Sequence, residues 1–224
     1  MRTLILHTPK GGSGKSTLAR ELAVAASATL RVALADLDPQ GTTSGWYQRR
    51  DAKTPALVTL DPAKPAHHLA DAGVELLVID TPPGQPPYLG ALLAGADVVL
   101  VPVRPTPDDL LAAAPIAASL ARSRAWAFVL SQVPPRTRLL AGALRQLAAL
   151  GRVAPAQLTF RADYPAAAIT GQAASEFSGK AAAEATALWA YAQSILGDID
   201  AATPEGKPGR PDRAQGRRTG AGAR

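Results

Sequence analysis

A glycine-rich loop near the start of the chain has the residue types needed to hold a phosphate group. Between a short apolar run and a helical pattern, the chain reads Pro9-Lys10-Gly11-Gly12-Ser13-Gly14-Lys15-Ser16-Thr17. The glycines let backbone N–H groups curve around an anion, and the N-terminus of the following helix adds positive potential there. Lys15 adds a full charge, and Ser16 offers a hydroxyl to Mg²⁺. The loop predicts a nucleotide-phosphate site.

Two carboxylates follow a second apolar run. Asp36 and Asp38 stand two residues apart in the segment Ala35-Asp36-Leu37-Asp38-Pro39-Gln40-Gly41. At the end of a strand, one carboxylate could help to hold Mg²⁺ and its waters while the other orients the attacking water. The alternative for either residue is an aspartate that caps the turn before Pro39.

A third carboxylate, Asp80, ends the apolar run 75–79 and precedes Thr81-Pro82-Pro83-Gly84. A strand that delivers one carboxylate to a neighbouring phosphate loop is typical of Mg²⁺ binding through water. The two prolines after Asp80 could simply make the loop rigid.

Short apolar runs alternate with alanine- and leucine-rich stretches of helical length. We predict strands at 3–7, 32–35, 56–60, 75–79, 98–103, 127–130 and 157–160. We predict helices at 16–29, 66–72, 87–94, 107–122, 138–150 and 175–196. The alternation predicts an α/β fold, a doubly wound, mostly parallel sheet with helices on both faces. Ligands bind at the carboxyl ends of the strands in such sheets, where all three carboxylates follow their strands.

Composition separates a folded body from a basic tail. The 224 residues carry a net charge of +6, of which residues 203–224 contribute six basic and two acidic groups. That stretch is rich in Gly, Pro and Arg, so we predict one folded domain with the phosphate loop at 1–202 and a disordered tail at 203–224. The chain has no cysteine, which excludes disulfides, thiolate metal sites and cysteine nucleophiles. No leader-like or membrane-spanning run precedes the loop, so we expect a cytoplasmic protein.

The segment Lys10-Gly11-Gly12-x-Gly14-Lys15-Ser16, with Pro9 where the strict pattern has glycine, resembles the deviant Walker A motif of the ParA/MinD ATPases. The segments after Ala35 and Ile79 are similar to two further motifs of that family. For the residues after Asp80, the resemblance implies a loop that reports the state of the phosphates to the dimer interface. The resemblance implies that ATP and Mg²⁺ are the cofactors and that Lys10 reaches across a nucleotide sandwich dimer to the partner's phosphates. It implies water positioning by Asp38 and a supporting role for Asp36.

The residue roles implied by the resemblance form three sets. The catalytic residues are expected to be Lys10, Lys15 and Asp38. Nucleotide contacts fall to Gly11, Gly12, Ser13, Gly14, Lys15, Ser16, Thr17 and Ser131. Metal contacts fall to Ser16, Asp36 and Asp80. Ser131 stands where the family commonly has an asparagine that contacts adenine, so base recognition here departs from the family pattern.

The branch of the family follows by exclusion. The iron–sulfur members need cysteines, and the end of this chain lacks the apolar helix face by which MinD binds membranes. A ParA-like ATPase remains, with a homodimer in the ATP state, non-specific DNA and a ParB-like or cargo-adaptor protein as partners, no membrane, and a nucleoid-associated location. Candidate DNA contacts are Arg136, Arg138, Arg161 and Lys180. The alternatives are a metabolic ATPase of the dethiobiotin synthetase type and a cargo-chaperoning ATPase that does not bind DNA.

Overall fold

The computed structural model describes residues 1–62, 67–121 and 123–202. Its named strands form one six-stranded sheet in the order β3-β2-β4-β1-β5-β6, and every pairing is parallel. The strands are β1 Arg2–Leu6, β2 Val32–Asp36, β3 Ala56–Val58, β4 Leu76–Asp80, β5 Val98–Val103 and β6 Trp126–Leu130. The predicted α/β class is confirmed.

Helices connect the strands and cover the sheet. They are α1 Lys15–Ala26, α2 Thr42–Gln48, α3 His67–Asp71, α4 Leu89–Ala94, α5 Pro107–Leu111, α6 Ala113–Ser119, α7 Leu139–Ala148, α8 Asp163–Ile169 and α9 Gly179–Ala202. A 3-10 turn at Ala174–Glu176 precedes α9. None of the described helices is both long and apolar enough to cross a membrane.

Each central strand is buried on both of its faces. Leu4 and Leu6 of β1 pack in a cluster with residues of α1 and α9, whereas Ile5 between them packs with residues of α4, α6 and α7. A strand covered on both sides by helices needs apolar residues at successive positions instead of at every second one. The continuous apolar runs in the sequence have this physical origin.

The register of the sheet brings three loops to one edge. Leu6 at the end of β1 pairs with Asp80 at the end of β4, which also pairs with Asp36 at the end of β2. Because the strands are parallel, the loops that follow them open on the same side. The phosphate loop and both acidic segments therefore meet there.

Several sequence-based expectations differ from the structure. Residues 157–160 form no named strand, although Thr159 makes an isolated parallel bridge with Val133. The helix expected at 107–122 is divided into α5 and α6, since Pro115 has no N–H to donate to the Leu111 carbonyl. The last helix begins at Gly179, later than expected. Helices α2 and α8 were not predicted, and the tail at 203–224 lies outside the described residues.

Helix α2 depends on tertiary contacts because its sequence, TTSGWYQ, is poor in helix formers. Trp46 is fully buried, and its indole N–H donates to the Gln172 carbonyl at 2.8 Å. The chain next to Gln172 approaches α2 so closely that a Cβ on Gly171 would lie 2.4 Å from the backbone of Arg49 and Arg50. Gly171 also has φ +71°, a conformation that alanine adopts only with strain.

We therefore expect Gly171→Ala to lower the free energy of unfolding by at least about 2 kcal/mol, because strain and backbone collision act together. The midpoint of thermal unfolding should fall by several degrees. The matched control is Gly90→Ala in α4, where the added Cβ meets open space and no change or a small gain in stability is expected. Equal midpoints for the two variants would contradict the close approach.

Candidate functional site

The phosphate loop has the backbone shape of an anion cradle. Gly12 and Gly14 adopt left-handed conformations with φ of +72° and +94°, and α1 begins immediately afterwards at Lys15. Two residues that follow β6 hold the loop in place. The Ser131 hydroxyl donates to the Ser13 carbonyl at 2.5 Å, and the Gln132 amide donates to the Gly12 carbonyl at 2.6 Å. Because these two side chains bind carbonyl groups of the loop, the N–H groups of the loop stay available to an anion.

Lys15 lies inside this cradle. Its side chain is buried, and its ammonium group donates to the carbonyls of Thr8 and Lys10 at 3.2 and 3.1 Å. Burial lowers the pKa of Lys15, while the charges of Asp80 and Asp38 raise it. A phosphate beside Lys15 would supply a further negative charge and so stabilise the ammonium form.

The Asp80 carboxylate is fully buried at the end of β4. One oxygen, Oδ2, accepts a hydrogen bond from the Thr43 hydroxyl at 2.7 Å. The other, Oδ1, has no hydrogen-bond partner among the described residues. Burial raises the pKa of Asp80 to about 6, although the hydroxyls of Thr43 and Ser16 act in the opposite direction. A buried carboxylate oxygen without a partner is a place where a cation or its water is favourable.

These residues fit a Mg²⁺ ion that is held mainly by phosphate and water. The described part of the chain has no group of three or more His, Asp or Glu side chains that could enclose a metal. Mg²⁺ commonly keeps several waters and uses one or two protein ligands beside a nucleotide. Ser16 and Asp80 supply such a pair.

Asp36 and Asp38 shape the loop between β2 and α2. The oxygens of Asp36 accept the backbone N–H groups of Asp38 and Ser44 at 3.1 and 2.8 Å. Asp38 accepts the N–H of Gln40 at 3.0 Å and also lines the phosphate cavity. Both residues therefore stabilise the turn, as the alternative interpretation of these aspartates expects. Asp38 in addition lines the cavity where a phosphate would bind. A metal-binding role for Asp36 stays a prediction.

Two cavities meet at this edge. A polar cavity of about 390 Å³ is lined by the loop residues from Gly11 to Thr17 together with Asp38, Pro83 and Gln132. A larger and more apolar cavity of about 630 Å³ adjoins it, with Leu158, Phe160, Tyr164, Pro165 and Ile169 in its wall. The first suits phosphates, and the second suits the base and sugar of a nucleotide.

Arg20 lies between the two cavities and lines both of them. Its side chain is buried, donates to the Thr17 hydroxyl at 3.4 Å and lies 5.8 Å from the centre of the Trp46 ring. Sequence analysis missed this residue. The available signal was its position three residues after Thr17, which places both side chains on one face of α1.

Ser131 lies in the wall of the larger cavity, as the predicted base contact requires. Its hydroxyl proton, however, is directed to the Ser13 carbonyl. The hydroxyl oxygen therefore has only acceptor capacity left for a base, whereas an asparagine side chain could donate and accept.

The loop after Asp80 is tied to the phosphate loop. The Gly84 N–H donates to the Pro9 carbonyl at 2.9 Å. The Thr81 hydroxyl donates to the Leu6 carbonyl at 2.9 Å and lies 3.1 Å from Nδ1 of the buried His7. These contacts join the loop after β4 to the phosphate loop and to β1.

Lys10 turns away from the phosphate cavity of its own chain. Its ammonium group contacts Oδ1 of Asp109 at 2.8 Å, and its side chain is about one third exposed.

The candidate DNA contacts divide into two kinds. Arg161 is paired with Glu184 at 2.6 Å. The other three candidates, Arg136, Arg138 and Lys180, are exposed.

Comparison with known proteins places this geometry in a family. The family model described as the CobQ/CobB/MinD/ParA nucleotide-binding domain (CbiA) matches residues 4–175. The match includes the phosphate loop, Asp36, Asp38, Asp80 and both cavities' inner walls.

Individual relatives agree with that match. Maintenance of carboxysome distribution protein A of Gloeobacter kilaueensis is 37% identical over 116 residues, which cover 49% of this chain and 52% of that protein. The match thus spans about half the length of this relative. The chromosome-partitioning ATPase Soj of Thermus thermophilus is 31% identical over 173 residues, which cover 62% of this chain and 67% of Soj.

A solved structure of Cyanothece McdA in complex with ATP matches with a TM-score of 0.67 at 18% identity. The match covers 88% of this chain and 96% of that one. At this level of identity the likeness shows a shared fold, which agrees with the parallel sheet described above.

The buried His7 generates a prediction about pH. Burial, followed by the charge of Lys15, lowers the pKa of His7 from 6.5 to about 4. The unfolded chain therefore binds a proton at His7 near pH 6.5 that the folded protein does not take up until about pH 4. Unfolding consumes a proton between these values, so the free energy of unfolding falls as the pH falls through this window.

We expect His7→Gln to flatten that part of the curve, so that between pH 6.5 and 4 the variant gains up to about 3 kcal/mol relative to the wild type. Asp80, with its raised pKa, acts in the opposite direction but is present in both proteins and cancels in the difference. Urea unfolding at a series of pH values measures the effect. Parallel curves for the two proteins would show that His7 does not titrate in this way.

Proposed function

The chain belongs to the CobQ/CobB/MinD/ParA nucleotide-binding domain family, and from that premise we propose that it is an ATP-dependent positioning ATPase. ATP and Mg²⁺ join two protomers, the dimer binds DNA non-specifically, and a partner protein stimulates hydrolysis and release. The observation that carries the proposal is the phosphate cavity, which Lys15 lines. One oxygen of the buried Asp80 has no hydrogen-bond partner among the described residues, and Lys10 contacts Asp109 instead of lining that cavity.

Each residue has a role in this proposal. Lys15 and the loop N–H groups bind the phosphates, and Ser16 and Asp80 hold Mg²⁺, which would neutralise phosphate charge when bound. Asp38 orients the attacking water from the wall of the phosphate cavity, while Asp36 keeps the Asp38 loop in shape. Lys10 contacts the phosphates of the partner protomer, since in its own chain it faces Asp109.

A segment whose charged residues are all basic supports DNA binding. Residues 131–162 contain five arginines and no Asp or Glu. Among them Arg136, Arg138 and Arg145 are exposed on the loop after β6 and on α7. Arg138 and Arg145 are seven residues apart and therefore lie on the same face of the helix. Exposed cations on one face attract DNA through its phosphates, independently of base sequence.

The cargo follows from the two kinds of relative. Their names connect one to the distribution of carboxysomes and the other to chromosome partitioning. We therefore propose a protein assembly or a DNA molecule as cargo, linked through an adaptor of the ParB kind, and a nucleoid-associated cytoplasmic location.

The tail at 203–224 lies outside the described residues, and the domain boundary at 202 is part of the proposal. The tail carries a charge of +4, which is the same in every nucleotide state. It can therefore strengthen DNA binding without acting as the switch. The ATP-dependent difference must come from the folded body, whose cations are doubled and aligned when two protomers join.

Co-sedimentation of the full chain with DNA of arbitrary sequence, in ATP and in ADP, tests this function. We expect stronger binding in ATP than in ADP, and Lys15→Ala should abolish this difference. An ATP-dependent dimer without DNA binding would instead favour the cargo-chaperoning ATPase. A resting turnover near about 10 s⁻¹ would favour the metabolic alternative, because a switch that waits for a partner hydrolyses ATP slowly at rest.

The DNA surface can be tested with two matched pairs. We expect Arg138→Gln with Arg145→Gln to weaken ATP-dependent DNA binding and to reduce the magnitude of the salt slope by about 0.9 for each lost phosphate contact. The control pair, Arg31→Gln with Arg124→Gln, removes the same charge from exposed residues before β2 and β6, at the opposite edge of the sheet. Equal effects of the two pairs would argue against a surface near α7.

Asp38→Ala removes water orientation but leaves the phosphate cradle intact. We expect the variant to bind ATP and to dimerise, yet to hydrolyse ATP at least about 100-fold more slowly and to remain on DNA. Phosphate release and the lifetime of the DNA complex measure this. Asp51→Ala, the same change at an exposed residue after α2 that does not line the phosphate cavity, is the control. Turnover of Asp38→Ala at the wild-type rate would remove Asp38 from this role.

A further inference from the structure

Arg20 is a buried cation in the wall of the site, and no motif indicated it. The residue is 7% exposed, and its guanidinium group donates to the Thr17 hydroxyl at the long distance of 3.4 Å. No carboxylate among the described residues accepts a hydrogen bond from it. Arginine carries five N–H donors, and a buried charge without a close partner is unfavourable. The remaining donors of Arg20 therefore indicate a ligand with negative charge.

The position of Arg20 indicates which part of a nucleotide that ligand is. Residues that line both cavities are Gly14, Thr17, Arg20, Thr42 and Gln132, and Arg20 is the charged member of this group. The polar cavity suits the outer phosphates, and the larger cavity suits the base and sugar. The α-phosphate joins the sugar to the outer phosphates, so its place is the boundary between the two cavities.

The side chain of Arg20 is held at this boundary before a ligand arrives. It extends from the second turn of α1, and its guanidinium carbon lies 5.8 Å from the centre of the Trp46 ring. Trp46 is fully buried and is itself held by its hydrogen bond to the Gln172 carbonyl. A guanidinium group that is already fixed loses little conformational freedom when it binds a phosphate.

We propose that Arg20 is a nucleotide-binding residue whose guanidinium group contacts the α-phosphate. This inference rests on the proposed function, because it takes a nucleoside phosphate as the ligand. The α-phosphate is common to ATP and ADP, so Arg20 raises the affinity for both to the same degree. Arg20 therefore sets how tightly a nucleotide is held, while the difference between the ATP and ADP states depends on other residues.

Arg20→Gln tests this contact in the full chain. Competition against a fluorescent ADP analogue gives the dissociation constants of ATP, ADP, AMP and adenosine. We expect the affinity for each of the three phosphate-bearing compounds to fall on the order of tenfold or more, because a charge-assisted hydrogen bond is lost. The affinity for adenosine should not change. The matched control is Arg124→Gln, the same change at an exposed residue before β6, where no effect is expected.

The pattern across these compounds separates a phosphate contact from a structural role. A loss of adenosine affinity as large as that of AMP would mean that Arg20 only maintains the shape of the pocket, and it would overturn the proposal. A loss for ADP without a loss for AMP would place the contact on an outer phosphate and would also overturn it. Arg20→Lys, which keeps the charge but not the planar group, should lose less AMP affinity than Arg20→Gln.

The same measurements in EDTA test whether Arg20 acts through the metal site, since its charge also interacts with that of Asp80. We expect the loss of ADP affinity to persist without Mg²⁺, and a loss that requires Mg²⁺ overturns the proposal. If Arg20→Gln does not fold, the wild type decides, because AMP bound no more tightly than adenosine excludes an α-phosphate contact. If the wild type binds ATP and Arg20→Gln leaves every affinity unchanged, only this inference fails. If the wild type binds no nucleotide, the proposed function fails with it.

Discussion

The fully buried carboxylate of Asp80 is the constraint on which the rest of the site depends. Strand β4 lies between β1 and β2, so Asp80 is enclosed by neighbours that pair with it in the sheet. A charge in that position needs partners, and the described residues satisfy only one of its oxygens, through Thr43. The pKa of about 6 expresses the cost of the remaining burial. The fold thus leaves one buried oxygen without a partner among the described residues, and a cation or its water at that atom would offset the cost of burial.

Thr43 can serve Asp80 only if α2 is in place, and α2 is held by residues far along the chain. Trp46 is covered by the Arg50 guanidinium, 5.0 Å from its ring centre. Arg50 in turn is paired with Glu176 at 2.7 Å and is almost completely buried. The region between α8 and α9 therefore supports the phosphate site through two intermediate side chains. A segment without chemical motifs, 171–176, is thus linked by contacts to α2, the helix that carries Thr43.

The sequence predicted the features that depend on residues close together in the chain. Continuous apolar runs identified six strands because burial on both faces leaves no alternation, and the phosphate loop was recognisable because glycine, lysine and serine occupy consecutive positions in one segment. Helix α2 was missed because its stability comes from Trp46 and Asp36 instead of from helix propensity. Arg20 could have been found from its spacing to Thr17. The pairing of Lys10 with Asp109 could not, since 99 residues separate them and no local pattern joins them.

The phosphate loop contacts the segments that follow three other strands of the sheet. The loop after β4 reaches it through Gly84 and Pro9, the segment after β5 reaches it through Asp109 and Lys10, and the loop after β6 reaches it through Gln132 and Gly12. These contacts differ in strength. The first and third are hydrogen bonds to loop carbonyls, whereas the second is an ion pair that ends on an exposed side chain. A phosphate that enters the cradle leaves the carbonyl bonds in place, because it is bound by N–H groups on the other side of the peptide planes. The second contact therefore differs from the other two in kind, because it joins the phosphate loop to the segment after β5 by charge, through a lysine whose side chain is 36% exposed.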